Sequence, residues 1–412
     1  LSITYRTRGD ETTWSEVARR TTGNDMDASE IQRSNPSAQA PFSAGVVLQI
    51  PMVSTPISKE PTDGPVDIRL EDKITGLSPV LIGTYNQFEV TQAVDAPAKG
   101  RFRMPNTADT RALVRPLTAP GITIDFGGVR QVTGRAVSPQ MTNTGDTKEL
   151  MVDYFSLPGV LENAYPPFDS FPREWKDTDL KTIADDLCAP HGVVVDFDES
   201  PGARFERLDI GPEDQVLPFL YDLAKQRGFV VTDTPAGHLR FWKGESGGAP
   251  VAHLERGVPP VFGDPDVQYN EDAYFASVTG RVPSKSKRNK KGASFTVQNP
   301  FKTDLVRPYN FEARDISVGE LETVVKSTAG RMFAGVVTVG LDVSTWLDKN
   351  GDPWRPGTTI TFKSEEDFIE KPFKFLISMV TFHRDSKSKS ASLTMVIPGV
   401  FSGVIPEQMP WQ

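Results

Sequence analysis

The chain has 412 residues, more than one hydrophobic core usually holds, so three or four domains are expected. Its 38% hydrophobic and 24% charged residues are ordinary proportions for a soluble protein, and no apolar run approaches the roughly 20 residues of a membrane-spanning helix. A net charge of −9 with a pI near 5.2 argues against a dedicated nucleic-acid binder, and the single cysteine, Cys188, excludes an intrachain disulfide framework and a thiolate metal cluster.

The first residues lack the basic-then-apolar order of a secretory signal. ITYRT, residues 3–7, alternates like a strand, and Gly9-Asp10 supplies a turn. Trp14, Val17 and Ala18 fall at i, i+3 and i+4, which predicts a short helix capped by Thr12 or Thr13 and stopped by Gly23. A second helix is expected from Ala28 to Arg33, broken at Asn35-Pro36, and GVVLQIP (45–51) reads as a strand closed by Pro51. Strand, helix, helix and strand within about fifty residues make a complete small unit.

This order of Tyr5, Gly9-Asp10, Trp14, Ala18, Gly23, Ile31, Asn35-Pro36, Gly45, Leu48 and Ile50-Pro51 resembles a LysM module and, equally, the small tail protein X family of phages. Glu11 and Thr12 separate Gly-Asp from the helix, where the family runs straight on. That insertion falls in the loop that holds N-acetylglucosamine in sugar-binding members, so protein docking is favoured over sugar binding. The candidate docking surface comprises Gly9, Asp10, Trp14 and Asn35.

VSTPISKEPTDGP, residues 53–65, is rich in Pro, Ser, Thr and charge and reads as an exposed linker. Beyond it, 34 Pro and 33 Gly set among short Val/Ile/Phe/Thr runs favour a β-rich body. PGITIDF (120–126) is echoed by PGTTITF (356–362), and LMVDYFSLPGVLE (150–162) by LTMVIPGVFS (393–402). The second Pro-Gly follows the first by 38 residues in one copy and 42 in the other. Between these ends RQVTGRAVS and FKFLISMVTFHR alternate as strands, and TNTGDTK and RDSKSKS supply turns before the last strand. Such a run must curl or pack on another sheet to bury one face, which predicts two copies of one small β-barrel.

Between the copies, Leu180, Ile183, Ala184 and Leu187 mark an amphipathic helix with a cap at Asp177 or Thr178 and a stop at Gly192, followed by the strand VVVDF. GPEDQVLPFLYDLAKQRG predicts a second helix opened at Pro212 and ended by Gly228, with Pro218 kinking it or delaying its start. FVVTDT and HLRFWK read as strands. This is an α/β insertion of about a hundred residues.

The helix and strand DLKTIADDLCAPHGVVVDF, the segment PEDQVLPFLYDLAKQRGFVVTDTPAGHLRFWK, Arg281 in ASVTGRV, Trp346, the turn Asn350-Gly351 and Trp354-Arg-Pro-Gly together resemble the baseplate hub of contractile phage tails, specifically the tail protein family of Mu-like phages. The resemblance covers residues 66–402. It implies a mainly β, multi-domain chain with an α/β insertion: a LysM-like module at 1–53, a linker at 54–65, barrels at 66–162 and 263–405 around an α/β domain at 163–262, and a tail at 406–412. Family members are homotrimers in which two similar barrels per chain make a ring of six, joining a six-fold tail tube to a three-fold spike. The implied partners are further copies of the chain, the tail tube protein, the central spike protein, and baseplate wedge or other peripheral baseplate proteins. DNA would pass transiently through the ring, and the place would be the virion's tail baseplate, assembled in the host bacterial cytoplasm.

Apparent catalytic motifs fail on context. GESGG (244–248) matches a nucleophile elbow, yet the following GAPVAHLERG starts no helix. DKNGDPW (348–354) lacks the Gly and Glu of a calcium loop and reads as an Asn-Gly turn. His191, His238, His253 and His383 are scattered, and the acids Asp185-Asp186 and Glu365-Glu366-Asp367 read as solvated faces. No catalytic residue, metal or cofactor is expected. SKSKRNKKG (284–292) is the dense basic run, a hairpin tip whose Lys285, Lys287, Arg288, Lys290 and Lys291 form a candidate interface loop. The alternative to a hub is a wall-directed protein that binds peptidoglycan through the first module or degrades it, which would need a carboxylate pair or metal ligands.

Overall fold

The computed structural model describes residues 2–7, 12–21, 28–51, 66–72, 77–144, 147–168, 173–244, 248–258, 260, 262–282, 292–301, 304–313, 316, 318–385, 388–401 and 403–412. They divide into two compact units, residues 1–65 with 126–129, and residues 66–125 with 130–412. The expected linker at 54–65, the turn Gly9-Asp10 and the basic run through Lys291 lie outside the described residues.

The small unit comprises β1 (Ser2–Arg6), α1 (Trp14–Thr21), α2 (Ala28–Ser34) and β2 (Val47–Pro51), with β1 and β2 antiparallel. Thr13 caps α1: its hydroxyl accepts from the Glu16 N–H at 3.2 Å. The Glu16 carboxylate reaches back to the N–H groups of Thr12 and Thr13 at 2.6 and 3.2 Å. This reciprocal box satisfies amides that the first helical turn leaves open. Val17, Ile31, Phe42 and Leu48 meet beneath it as a core.

The large unit opens with β3 (Val66–Asp72), β4 (Leu77–Leu81), β5 (Gln87–Ala93), β6 (Ala96–Pro105), α3 (Ala108–Leu113), β7 (Gly121–Phe126), β8 (Val129–Thr144) and β9 (Thr147–Ser156). Alternation sets the buried face: Leu150, Val152 and Tyr154 of β9 are buried, while Met151, Asp153 and Phe155 between them are only partly so.

The insertion follows with β10 (Glu174–Thr178), α4 (Leu180–Cys188), β11 (Val195–Phe197), β12 (Phe205–Asp209), α5 (Val216–Gln226), β13 (Val230–Asp233) and β14 (Leu239–Trp242). All four apolar residues expected on α4 are buried. Its cap, however, is Asp179, not Asp177 or Thr178; the Asp179 carboxylate accepts from the Thr182 N–H at 2.9 Å. Hydrogen bonds from Thr182 hold that carboxyl below its ordinary range. Pro218 delays α5 without kinking it, because it occupies the third helical position, where a missing N–H costs no intrahelical bond. The helix therefore starts at Val216, four residues after Pro212.

The chain then adds β15 (His253–Glu255), β16 (Asp266–Tyr269), β17 (Ser277–Val282), β18 (Ala293–Gln298), β19 (Pro308–Glu312), α6 (Leu321–Met332), β20 (Val337–Val343), β21 (Thr359–Ser364), β22 (Ile369–Asp385) and β23 (Lys389–Val396). Inside the span expected as one barrel, β18, β17 and β19 form a separate sheet packed on α6, with Val278, Leu321 and Val325 in its core.

The echoed segments occupy matching places. β7, β8, β9 and β6 are successive neighbours, as are β21, β22, β23 and β20. No closed barrel forms among the described strands, contrary to expectation. Both copies instead belong to one thirteen-stranded sheet, because β22 pairs antiparallel with β5 from Met379↔Ala93 to Asp385↔Gln87. An edge strand must satisfy its outward N–H and C=O groups, and here each is satisfied by the other copy rather than by curling back on its own.

Candidate assembly interface

The β5–β22 seam is where the copies meet, and its side chains explain its register. Thr91 and Thr381 face each other with hydroxyl oxygens 3.0 Å apart, and His383 Nδ1 lies 3.6 Å from a Glu89 carboxylate oxygen. On the buried face, Trp346 from the β20–β21 connection packs against Phe88 of β5 and Phe382 of β22, with ring centroids 6.3 and 5.3 Å away. Its indole N–H donates to the Ser390 carbonyl at 2.7 Å, so an almost fully buried polar hydrogen is satisfied.

The β5–β6 turn is gripped from outside the sheet. Asp95 holds a left-handed φ of 57°, and its carboxylate pairs with Arg331 of α6 and accepts from the Val231 N–H of β13. Arg331 also donates to the Phe229 carbonyl at 2.6 Å, while the Ala98 N–H donates to Asp233 at 3.0 Å. Burial pushes the Asp233 carboxyl above its ordinary range. Ser327 of α6 donates to the Lys225 carbonyl at 2.9 Å, and Arg227 pairs with Glu320. The insertion and α6 thus hold the first copy's hairpin tip through charge-assisted hydrogen bonds among largely buried groups.

An open cavity of about 270 Å³ lies over β5, β6 and β9, lined by residues including Glu89, Lys99, Arg101, Asp153 and Tyr154. Arg101 is 3.6 Å from Asp153, so charges of both signs are matched across the strands. Gly100 also lines it, and has no room for a side chain: a Cβ there would lie 2.1 Å from the Glu89 carbonyl oxygen and 2.5 Å from the Tyr154 hydroxyl. That hydroxyl donates to the same Glu89 carbonyl at 2.7 Å.

The expected docking residues are divided. Trp14 is half-buried, edge-on to Phe42 at 4.7 Å. Asn35 is buried: its amide nitrogen donates to the Ile31 and Gln49 carbonyls and its oxygen accepts from the Gln49 N–H, each at 2.7 Å. It rivets α2 to β2, and its side chain is spent inside the module. Gly9 and Asp10 lie outside the described residues, as do Lys285, Lys287, Arg288, Lys290 and Lys291.

Of the acids read as solvated faces, Asp186, Glu365 and Glu366 are exposed as expected, and Asp185, Asp186 and Glu365 have partners. Asp186 accepts from the Trp175 indole at 2.9 Å, Lys181 lies 2.6 Å from Asp185, and Lys363 3.3 Å from Glu365. Asp348 accepts from the N–H groups of Asn350 and Asp352 at 2.7 and 3.0 Å, which makes DKNGDPW a side-chain-closed turn with Gly351 at φ 79°. His238, His253 and His383 pair with Asp196, Glu255 and Glu89 in three separate places, and among the described residues no three potential ligands gather around a metal position.

Residues 169–243 match the family described as baseplate hub protein gp44-like, second domain. The match takes in most of the insertion. The baseplate hub protein gp44 of Escherichia phage Mu is 24% identical over 280 residues, covering 64% of this chain and 71% of that protein. The chain is a relative of the baseplate hub proteins of Mu-like phages. Its fold is shared by the 43 kDa tail protein of prophage MuSo2 from Shewanella oneidensis, with a TM-score of 0.67 at 18% identity over 82% of this chain and 99% of that one. The tail protein of Neisseria meningitidis MC58 gives a TM-score of 0.68 at 17% identity, over 83% and 99% of the two chains. These relatives are a baseplate hub protein and two tail proteins by name.

The sequence reading missed Asp95 and Arg331. The turn in QAVDAPA was the available signal for Asp95; nothing local in the sequence marks Arg331, whose partner is 236 residues away.

Proposed function

We propose that three copies of this baseplate hub form a ring of pseudo-six-fold symmetry in a contractile phage tail or tail-like particle, joining a hexameric tail tube to a trimeric spike. One observation carries this reading: a single chain presents the same four-strand order twice, joined edge to edge in one sheet. Three such chains offer six similar elements to a six-fold partner and three identical chains to a three-fold one. The N-terminal unit, LysM-like in its order of elements, docks a neighbouring wedge or peripheral baseplate protein, and DNA traverses the ring during ejection. The hub resides in the virion's tail baseplate after assembly in the host bacterial cytoplasm.

Sedimentation equilibrium of the purified chain tests the stoichiometry. The expected mass is three times the 45.3 kDa of one chain. A monomer at every concentration, or a stable dimer, would contradict the ring.

A further inference from the structure

The two copies of the repeat share a turn and differ at one residue in it. Arg115-Pro116-Leu117-Thr118 precedes β7 and Arg355-Pro356-Gly357-Thr358 precedes β21. In both, the threonine N–H donates to the arginine carbonyl at 3.3 Å, and the threonine hydroxyl donates to the same carbonyl, at 2.9 Å in the first copy and 2.7 Å in the second. Proline takes the second position and the third is left-handed, with φ 67° at Leu117 and 87° at Gly357, as a type II turn requires. Glycine adopts that conformation freely, whereas an L side chain crowds its own backbone there. In the second copy a side chain is also shut out by a neighbour, because a Cβ on Gly357 would lie 2.7 Å from the Trp242 ring of β14. In the first copy Leu117 is fully exposed. Two unfavourable features therefore meet at one residue, a strained backbone and a large apolar side chain left in water. Gly357 shows that the turn needs neither.

The neighbouring residues say what would cover the leucine. In the six residues before it, Arg111, Ala112, Arg115 and Pro116 are exposed. Arg111 donates to the neutral Asn106 side chain at 2.8 Å, and neither guanidinium has a carboxylate partner among the described residues. A protruding leucine accompanied by two uncompensated cations, on a chain of net charge −9, suits an apolar socket rimmed by carboxylates on another protein.

We propose that Leu117 is the anchor by which a three-fold partner tells the first copy of the repeat from the second, its side chain entering such a socket. The ring proposed above presents the turn six times and the leucine three times. A six-fold partner can use only what the two copies share, and a three-fold partner can use what they do not. Under that reading, on which this inference rests, the partner is the trimeric spike.

Binding of the full-length chain to the purified spike protein and to the purified tube protein of the same particle, measured by biolayer interferometry, tests the assignment. Leu117→Gly should weaken the spike complex about tenfold or more and leave tube binding unchanged. Leu117→Met, which keeps an apolar side chain, should restore most of the affinity. Arg115→Glu should also weaken the spike complex, since it sets like charges against each other. Glycine relieves the strained turn, so Leu117→Gly should keep or raise the parent's thermal midpoint, and a lowered midpoint would mean that the leucine serves the fold instead. A parent that binds the spike, with Leu117→Gly binding it as tightly, would overturn the anchor and leave the hub reading intact; a parent that binds no spike would overturn both. Weaker tube binding by Leu117→Gly, or a trimer that dissociates, would contradict the proposal by placing the leucine at a six-fold contact or between copies.

Discussion

In the first copy of the repeat β5 turns into β6 through Val94 and Asp95 alone, whereas in the second the same connection, from β16 to β20, spans residues 270–336 and carries β17, β18, β19 and α6. The strands on either side keep their neighbours in both cases. Ladder order is set by backbone hydrogen bonds that must be satisfied wherever the edge lies. A connection is limited only by closure entropy, which grows slowly with length. The first copy then uses Asp95 to fasten its short turn to α6, which belongs to the second copy's long connection. The two versions of one turn hold each other.

The largest effect should come from removing the side chain that spans the seam. Trp346→Ala is expected to destabilise by about 3–5 kcal/mol, read as a lowered thermal midpoint, with faster amide exchange in both β5 and β22. Faster exchange in β22 alone would mean that the copies do not depend on each other. Arg331→Met should cost a comparable or slightly smaller amount, about 3 kcal/mol, because it strands a largely buried Asp95 carboxylate. Adding Asp95→Asn should recover part of that loss in a urea-denaturation double-mutant cycle, and strict additivity would show that the pair does not act as one.

Glycines in the counterpart strands separate the copies more finely. Gly100→Ala in β6 should destabilise by about 1–3 kcal/mol, since the new methyl meets the Glu89 carbonyl. Gly340→Ala in β20 should stay within about 0.5 kcal/mol of the parent, its nearest atoms being 3.6 Å away on Asp266. Equal losses would mean that the two strands bend alike. The smallest expected effect is at the α4 cap: Asp179→Ala should cost about 1 kcal/mol. The Asp179 carboxyl titrates lower folded than unfolded, so its contribution is present above the unfolded value, about 3.9, and fades as pH falls through the folded one. The parent and the variant should therefore converge in stability in acid; a constant gap down to pH 2 would contradict the cap.

Elements fixed by local pattern were legible in the sequence. Leu180, Ile183, Ala184 and Leu187 marked α4, and the Pro-Gly echoes led to strands with matching neighbours, because such signals rest on periodicity and turn chemistry. Thr13-Trp-Ser-Glu16 carried a capping box that a closer reading would have found. The joining of the copies into one sheet was not legible, because β22 and β5 meet across 290 residues and alternation says which face is buried without saying which strand lies alongside. Asn35 shows the same limit: a polar residue beside a Pro suggests an exposed turn, and only the tertiary arrangement turns its amide inward to Gln49.

Electron microscopy of the purified chain tests the central claim most directly. End-on averages should show a ring with a central hole, three-fold symmetry and six similar lobes. Compact particles without a hole, or a ring that presents three lobes rather than six, would contradict it.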